Sequence, residues 1–284
     1  MNESFLDREA LAPFARLFTT LQQTHPLVDC ITNIVTVNDV ANGLLAIDAR
    51  PVMASAPDEI SDFVRHTDAL LLNLGATGSE QREAMLVGAM TANLFDKPVI
   101  VDPVGVGASP LRHKFLDTLL KKCQITAIRG NISEIKAIAG LTTEAAGVDA
   151  ALSDLDDPEA FQSAIELAQL LAKVHHTVIA ISGPRDIISD GTHTYVVHGG
   201  NESMTRVTGS GCTLTGLVAA FIAVAPEQPA LATACAIALM CRAGDIALEK
   251  VGAHATASFR IAMFDALSAL TVEDCLTHFH IQQL

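Results

Sequence analysis

Four short runs in this chain are apolar almost without a break, and each stops at polar or glycine residues. Ala69–Leu74, Pro98–Val101, Ile125–Ile128 and Thr177–Ile181 are too short for helices and too evenly apolar for strands with one wet face. Such runs belong to strands covered on both sides, and strands of that kind alternating with helices form a mostly parallel sheet. The chain is therefore predicted to fold as one domain over residues 1–284, an α/β fold with a mostly parallel central sheet between two helical layers.

In chain order, residues 4–23 place Phe5, Leu6, Leu11, Phe14, Leu17, Phe18 and Leu21 at helical spacing, broken once at Pro13. They read as a helix or two short ones. A strand over Leu27–Asn33 precedes a helix through Asn38–Ile47, a short strand at Val52–Ala54 and a helix begun near Ser55 and Pro57. Gly75 and Gly78 turn the third strand into a helix over residues 79–94. The next strand ends at Asp102-Pro103-Val104-Gly105-Val106-Gly107, and the Ile125–Ile128 strand follows it and ends at Arg129-Gly130-Asn131. Thr177–Ile181 ends at Ser182-Gly183. Residues 142–160 are acidic and weakly apolar, and read as an exposed loop leading into a helix over 158–173. Ile187–Ser189 and Tyr195–Val197, joined through Asp190-Gly191, read as a hairpin at the sheet edge. Everything beyond residue 211 reads helical, over Thr213–Val224, Leu231–Leu248 and Thr256–Leu270.

The formal net charge of -14 argues against nucleic-acid backbones and anionic membrane surfaces as partners, since both reward clustered Lys and Arg. No apolar run reaches the ~18 residues of a membrane span, and Met1-Asn2-Glu3-Ser4 has no leader pattern, so the cytoplasm is the expected location. The six cysteines are scattered, without a C-x-x-C pair or histidines at zinc spacing, and read as reduced thiols.

The densest chemistry lies in Val207-Thr208-Gly209-Ser210-Gly211-Cys212-Thr213-Leu214-Thr215-Gly216. Gly209 and Gly211 free the backbone, and Leu214, Leu217, Val218 and Phe221 then recur at helical spacing. A glycine turn opening a helix cradles a phosphate or a developing oxyanion. Cys212 stands at the helix start, where a lowered thiol pKa makes it a candidate base. The missing lysine separates the stretch from a Walker loop. A plain strand-to-helix turn with a buried cysteine fits the same residues.

Ligands of open parallel sheets gather beyond the carboxyl ends of the strands. Asn33, Asp102, Arg129 with Asn131, Ser182 and the loop into Cys212 all fall at such ends. Asp102 suits a magnesium ion or its waters. Asn131 and Glu134, three apart at a helix start, offer a second contact or form an ordinary capping box. Arg129 suits phosphate oxygens, or pairs with Glu134 or Asp102. No histidine has a triad partner nearby in sequence.

Together these segments resemble the ribokinase-like superfamily, and within it the hydroxyethylthiazole kinase family. The resemblance is carried by Cys30-Ile31-Thr32-Asn33, Asn42-Gly43-Leu44-Leu45-Ala46, Pro51-Val52-Met53-Ala54, Asp102-Pro103-Val104-Gly105, Arg129-Gly130-Asn131 with Glu134, and Thr208-Gly209-Ser210-Gly211-Cys212. Ser258-Phe259-Arg260 and Asp265-Ala266-Leu267 extend it toward the C-terminus. It implies a ribokinase-like fold and ATP-dependent phosphorylation of the alcohol of 4-methyl-5-(2-hydroxyethyl)thiazole, with Mg²⁺, in thiamine salvage. By position it implies that Met53, Gly209 and Asn33 contact the thiazole, and that Arg129, Ser182, Asn131 and Gly211 contact ATP. Asp102 and Glu134 would organise magnesium, with Cys212 beside the acceptor hydroxyl. It also implies a homotrimer with sites between subunits, Asn33 acting across the interface. Ser182 and Ser210 stand where the family often has Thr, and both keep a hydroxyl. The rival readings are another small-alcohol kinase of the same fold, a non-catalytic nucleotide-binding protein, and an acyl-transfer enzyme with Cys212 as nucleophile, for which a histidine partner is lacking.

Overall fold

The structure, a computed structural model, describes residues 4–76, 78–141 and 157–284. Among these residues nine strands form one sheet: β1 (Leu27–Ile31), β2 (Arg50–Val52), β3 (Ala69–Asn73), β4 (Val99–Asp102), β5 (Ala127–Asn131), β6 (Val178–Ser182), β7 (Arg185–Ser189), β8 (Thr194–His198) and β9 (His280–Gln283). Their order across the sheet is β2-β1-β3-β4-β5-β6-β7-β8-β9. The pairs from β2 through β6 are parallel, and those from β6 to β9 antiparallel. The helices are α1 (Ala12–Thr24), α2 (Val37–Ala46), α3 (Ile60–His66), α4 (Ser79–Leu94), α5 (Pro110–Lys122) and α6 (Ile132–Ile138). They continue with α7 (Pro158–His175), α8 (Ser210–Val224), α9 (Pro229–Val251), α10 (Thr256–Ala269) and α11 (Val272–Thr277).

Strand β3 shows why there are three layers. Alternate side chains of a strand point to opposite faces. Leu71 enters the core shared with α1, α2, α8, α9 and α10, while Leu70 and Leu72 enter the core shared with α3, α4, α5 and α7. All three are fully buried, so both faces need a helical cover. Helix α9 is long and apolar enough to cross a bilayer, yet 72% of its apolar window is buried inside the protein, where it packs on α8, α10 and β8.

The structure departs from the sequence expectations in several places: β2 spans Arg50–Val52 rather than Val52–Ala54, and the β7–β8 hairpin is not at the sheet edge because β9 lies outside β8. Pro13 does not break the first helix but sits in the opening turn of α1, where its missing N–H costs nothing, and Leu6 instead donates its N–H to the Ile281 carbonyl at 2.8 Å. Helix α5 was not anticipated; the Ser109 side chain caps it by accepting from Arg112 N–H, with Pro110 next and Lys121 and Lys122 in the last turn. Strand β5 starts two residues late and includes Arg129 and Asn131. The region beyond residue 211 is not wholly helical, because β9 pairs antiparallel with β8. The expected loop at 142–160 lies, up to residue 156, outside the described residues.

One buried acid is part of the framework. Asp29, in β1, is fully buried; one carboxylate oxygen accepts the Ala54 N–H at 3.1 Å and the other has no partner. Burial pushes it up to about 7, against the pull of the Ala54 and Cys30 N–H groups, with Glu59 adding to the rise. A folded-state pKa above the unfolded one means that the native state keeps a proton the unfolded chain has released. Stability is then full below the unfolded pKa and falls as pH rises through the folded value, by up to about 1.4 kcal/mol per pH unit. Asp29→Asn keeps the acceptor for Ala54 and removes this loss. Between pH 5 and 7.5 the melting temperature of the unsubstituted protein should fall relative to that of the variant; parallel curves would contradict the assignment.

Candidate active site

The carboxyl ends of β1, β3, β4, β5 and β6 open on one side of the sheet. Because β1 lies between β2 and β3, the strand order reverses at β1, which is where folds of this type bind ligands. The register then decides which side chains meet. Asn73 at the end of β3 is paired with Asp102 at the end of β4, and Asn131 at the end of β5 with Ser182 at the end of β6.

Asp102 is 2% exposed. Its Oδ2 accepts from Asn73 Nδ2 at 3.0 Å and from Thr215 Oγ1 of α8 at 2.9 Å. Asn73 Nδ2 also donates to Cys212 Sγ at 3.2 Å, as does Asn33 Nδ2 at 3.5 Å. Three strand ends and the start of α8 thus close on one point.

Helix α8 starts behind Gly209, whose φ of +87° few other residues tolerate. A Cβ there would lie 2.7 Å from Thr36 Cγ2, so glycine also lets the turn close on the loop after β1. The N–H groups of a first helical turn lack intrahelical acceptors. Ser210 donates to the Val207 carbonyl and Thr213 to that of Gly209, which leaves those of Gly211 and Cys212, among the described contacts, for a ligand. A Cβ on Gly211 would lie 2.7 Å from Arg129 Nη1, so the guanidinium rests against this turn. Arg129 Nε is buried without a partner, and among the described residues Arg129 makes no ion pair.

Glu134 is the capping residue its spacing allowed. Its Oε2 accepts the Asn131 N–H at 3.0 Å while Asn131 Oδ1 accepts the Glu134 N–H at 2.9 Å. Its Oε1 takes the Gly105 N–H at 2.9 Å, which fastens the loop after β4 beside the site. Burial pushes Glu134 up to about 7, with the Asp102 charge adding to it; the Gly105 and Asn131 N–H groups and Arg129 pull the other way. Burial also raises Asp102, opposed first by Arg129 and then by Thr215 and Asn73. Two acids held above the usual carboxylate range would be drawn toward their charged forms by a nearby cation. Among the described residues no three His, Cys, Asp or Glu side chains gather as a complete metal cage. Two carboxylates fit magnesium, which keeps several waters and takes further oxygens from phosphates.

The expected depression of the Cys212 thiol is overturned. Burial, then the Asp102 charge, push it above its ordinary value, with Thr36, Asn73 and Arg129 opposing. Position at a helix start favours a thiolate, but here desolvation beside a carboxylate outweighs it. The charged and polar groups that act on Sγ are Asn33, Asn73, Thr36, Asp102 and Arg129, and none is a histidine.

Of the remaining candidates, Ser182 has a buried hydroxyl that faces Asp186 and helps to oppose the rise of its pKa, while Asp186 Oδ1 accepts the Gly183 N–H at 3.3 Å. Burial pushes Asp186 up to about 6, with Arg129 opposing most strongly. Met53 follows β2 and packs on the α8-side core; it is not among the groups that contact Cys212. Sequence reading passed over Asn73, Thr215 and Asp186. A polar residue closing an apolar run, as Asp102 does, was the available signal for Asn73.

A sequence profile of the Hydroxyethylthiazole kinase family matches residues 18–273. The hydroxyethylthiazole kinase of Listeria monocytogenes serotype 4a (strain HCC23) is 41% identical over 271 residues, which cover 94% of this chain and 97% of that one. The chain belongs to the hydroxyethylthiazole kinase family. The corresponding kinase of Methanobrevibacter smithii is 39% identical over 282 residues, covering 96% and 98% of the two chains. The solved hydroxyethylthiazole kinase from Pyrococcus horikoshii OT3 superposes with a TM-score of 0.86 at 30% identity, over 96% of this chain and 99% of its own. Family and fold agree on a ribokinase-like phosphotransferase.

In this hydroxyethylthiazole kinase family member the Arg129–Gly211 contact is testable. The atom a new Cβ would meet is the far end of a flexible side chain, so Gly211→Ala moves Arg129 rather than unfolding α8. Losing one charge-assisted hydrogen bond to phosphate costs about 1.5 kcal/mol or more, so KM for ATP should rise about ten-fold with the melting temperature little changed. An unchanged KM would separate Arg129 from the nucleotide.

Proposed function

We propose that the chain transfers the γ-phosphoryl group of ATP to the primary alcohol of 4-methyl-5-(2-hydroxyethyl)thiazole, a salvage step toward thiamine, at the strand ends where Asp102, Arg129 and Cys212 lie. The observation that carries this reading is the joining of Asp102, Asn73 and Cys212 beneath the first turn of α8, with Arg129 against the same turn. Phosphoryl transfer asks a protein chiefly to align its reactants and to stabilise charge spread over the phosphoryl oxygens. The N–H groups of Gly211 and Cys212 and the Arg129 guanidinium take those oxygens; Ser182 and Asn131 hold the nucleotide from the next strand ends. Asp102 and Glu134 would hold Mg²⁺, which would neutralise phosphate charge when bound. Asn33, Met53 and Gly209 bind the thiazole.

The alcohol oxygen bonds to the γ-phosphorus as the bond from that phosphorus to ADP breaks, and the hydroxyl proton passes to Cys212 Sγ. A thiol raised above its ordinary pKa is a good proton acceptor once ionised, but is little ionised at neutral pH. Turnover should therefore climb between about pH 7 and 9 as the thiolate fraction grows. Cys212→Ala should lower kcat about 100-fold or more, flatten that limb and leave KM for ATP in place. A coupled assay of ADP release with the thiazole alcohol reads all three, and an unchanged kcat removes Cys212 as the base.

The assembly we propose is a homotrimer with sites near subunit contacts. Ile34 and Val35, just after Asn33, are 88% and 71% exposed, and Leu45 and Ile261 lie along a groove of about 400 Å³ between α2 and α10. Apolar exposure of this kind beside a site marks an interaction surface. Sedimentation should give three times the 29.9 kDa chain mass, and a single-chain mass would exclude it. The cytoplasm is the location we favour, because all six cysteines are free.

A further inference from the structure

Asn73 is fully buried and joins the two sides of the proposed chemistry. A side-chain amide offers two donor hydrogens and two acceptor lone pairs. All four are used: Nδ2 donates to Asp102 Oδ2 at 3.0 Å and to Cys212 Sγ at 3.2 Å, while Oδ1 accepts from Gly75 N–H at 2.9 Å and Asn33 Nδ2 at 3.3 Å. The backbone N–H of Gly75 can only donate, so it settles which end of the amide is oxygen. A flipped amide would set oxygen against the Asp102 carboxylate and nitrogen against an N–H.

Asn33 is fixed in the same manner. Its Oδ1 accepts the N–H groups of Val35 at 3.1 Å and Thr36 at 3.2 Å, which turns its Nδ2 toward Asn73 and Cys212. Cys212 Sγ thus receives two amide donors, each with its orientation set by backbone. Hydrogen bonds to an ionised acceptor are roughly twice as strong as those to a neutral one. The pair therefore favours the ionised sulfur, the form able to take a proton, and fixes where it stands.

We propose that Asn73 is a positioning residue for phosphoryl transfer, holding Cys212 Sγ as a hydrogen-bond acceptor at a fixed place relative to Asp102. This rests on the reading of Cys212 as the base that receives the hydroxyl proton. Asn73 itself touches neither substrate; it registers the base on α8 against the carboxylate on β4. Its effect belongs to kcat, because ATP is held by Arg129 and the first turn of α8.

A double-mutant cycle tests this. In the full-length protein, Asn73→Leu should lower kcat about 100-fold while KM for ATP stays within about three-fold. In the Cys212→Ala background the same change should cost about ten-fold less than in the unsubstituted protein, the remainder reflecting the hydrogen bond that Asp102 also loses. If Asn73→Leu does not fold, Asn73→Ala removes the same donor hydrogens without new bulk or charge, and carries the same expectation. A full loss persisting in the Cys212→Ala background would mean that Asn73 acts through Asp102 or the fold, and would overturn the proposal, as would an unchanged kcat. If instead Cys212→Ala alone is without effect, it is the base reading that fails.

Discussion

The site depends on how one buried carboxylate is held. A carboxylate as enclosed as Asp102 costs several kcal/mol unless its oxygens are hydrogen-bonded. Asn73 comes from the neighbouring strand and Thr215 from the helix above, so the carboxylate joins sheet to helix. Thr215 Oγ1 also reaches the Gly211 carbonyl one turn back, at 3.1 Å. The contact that satisfies Asp102 therefore sets the height and rotation of α8. With them it sets where the Gly209–Cys212 turn stands over the strand ends.

That arrangement leaves the unliganded site electrostatically unsettled. Asp102, Glu134 and Asp186 are all buried acids with raised pKa values, and Arg129 is the cation that opposes the rise in each. Its Nε is buried without a partner among the described residues. Groups left short of hydrogen bonds in a crevice are costly in the free protein and are satisfied by a ligand that brings what is missing. On the proposed function, a nucleoside triphosphate with magnesium would bring both kinds of charge to these residues.

The sheet was legible because strands such as Ala69–Asn73 are buried on both faces and show it as unbroken apolar runs. Asn33, Asp102, Arg129 and Cys212 stood out as polar residues at strand or helix ends. Asn73 did not, because it read as part of an apolar run, and its importance comes from pairing with Asp102 across the sheet, a relation between distant segments. Strand β9 has Ile281 as its one apolar residue, and its strand form comes from pairing with β8. Helix α5 did carry local signals in Ser109 and Pro110 that were passed over. The Cys212 thiol was misjudged for a physical reason: its place at a helix start is visible in sequence, whereas its burial beside Asp102 is not.

The proposed mechanism needs an alcohol oxygen held between the Cys212 sulfur and a terminal phosphate seated on the start of α8. A crystal structure with magnesium, a non-hydrolysable ATP analogue and the thiazole alcohol tests it most directly. The γ-phosphate should lie on the N–H groups of Gly211 and Cys212 beside Arg129, with the alcohol oxygen in hydrogen-bond reach of Sγ. A complex with the phosphates seated away from that turn, or with the alcohol out of reach of Cys212, would contradict it.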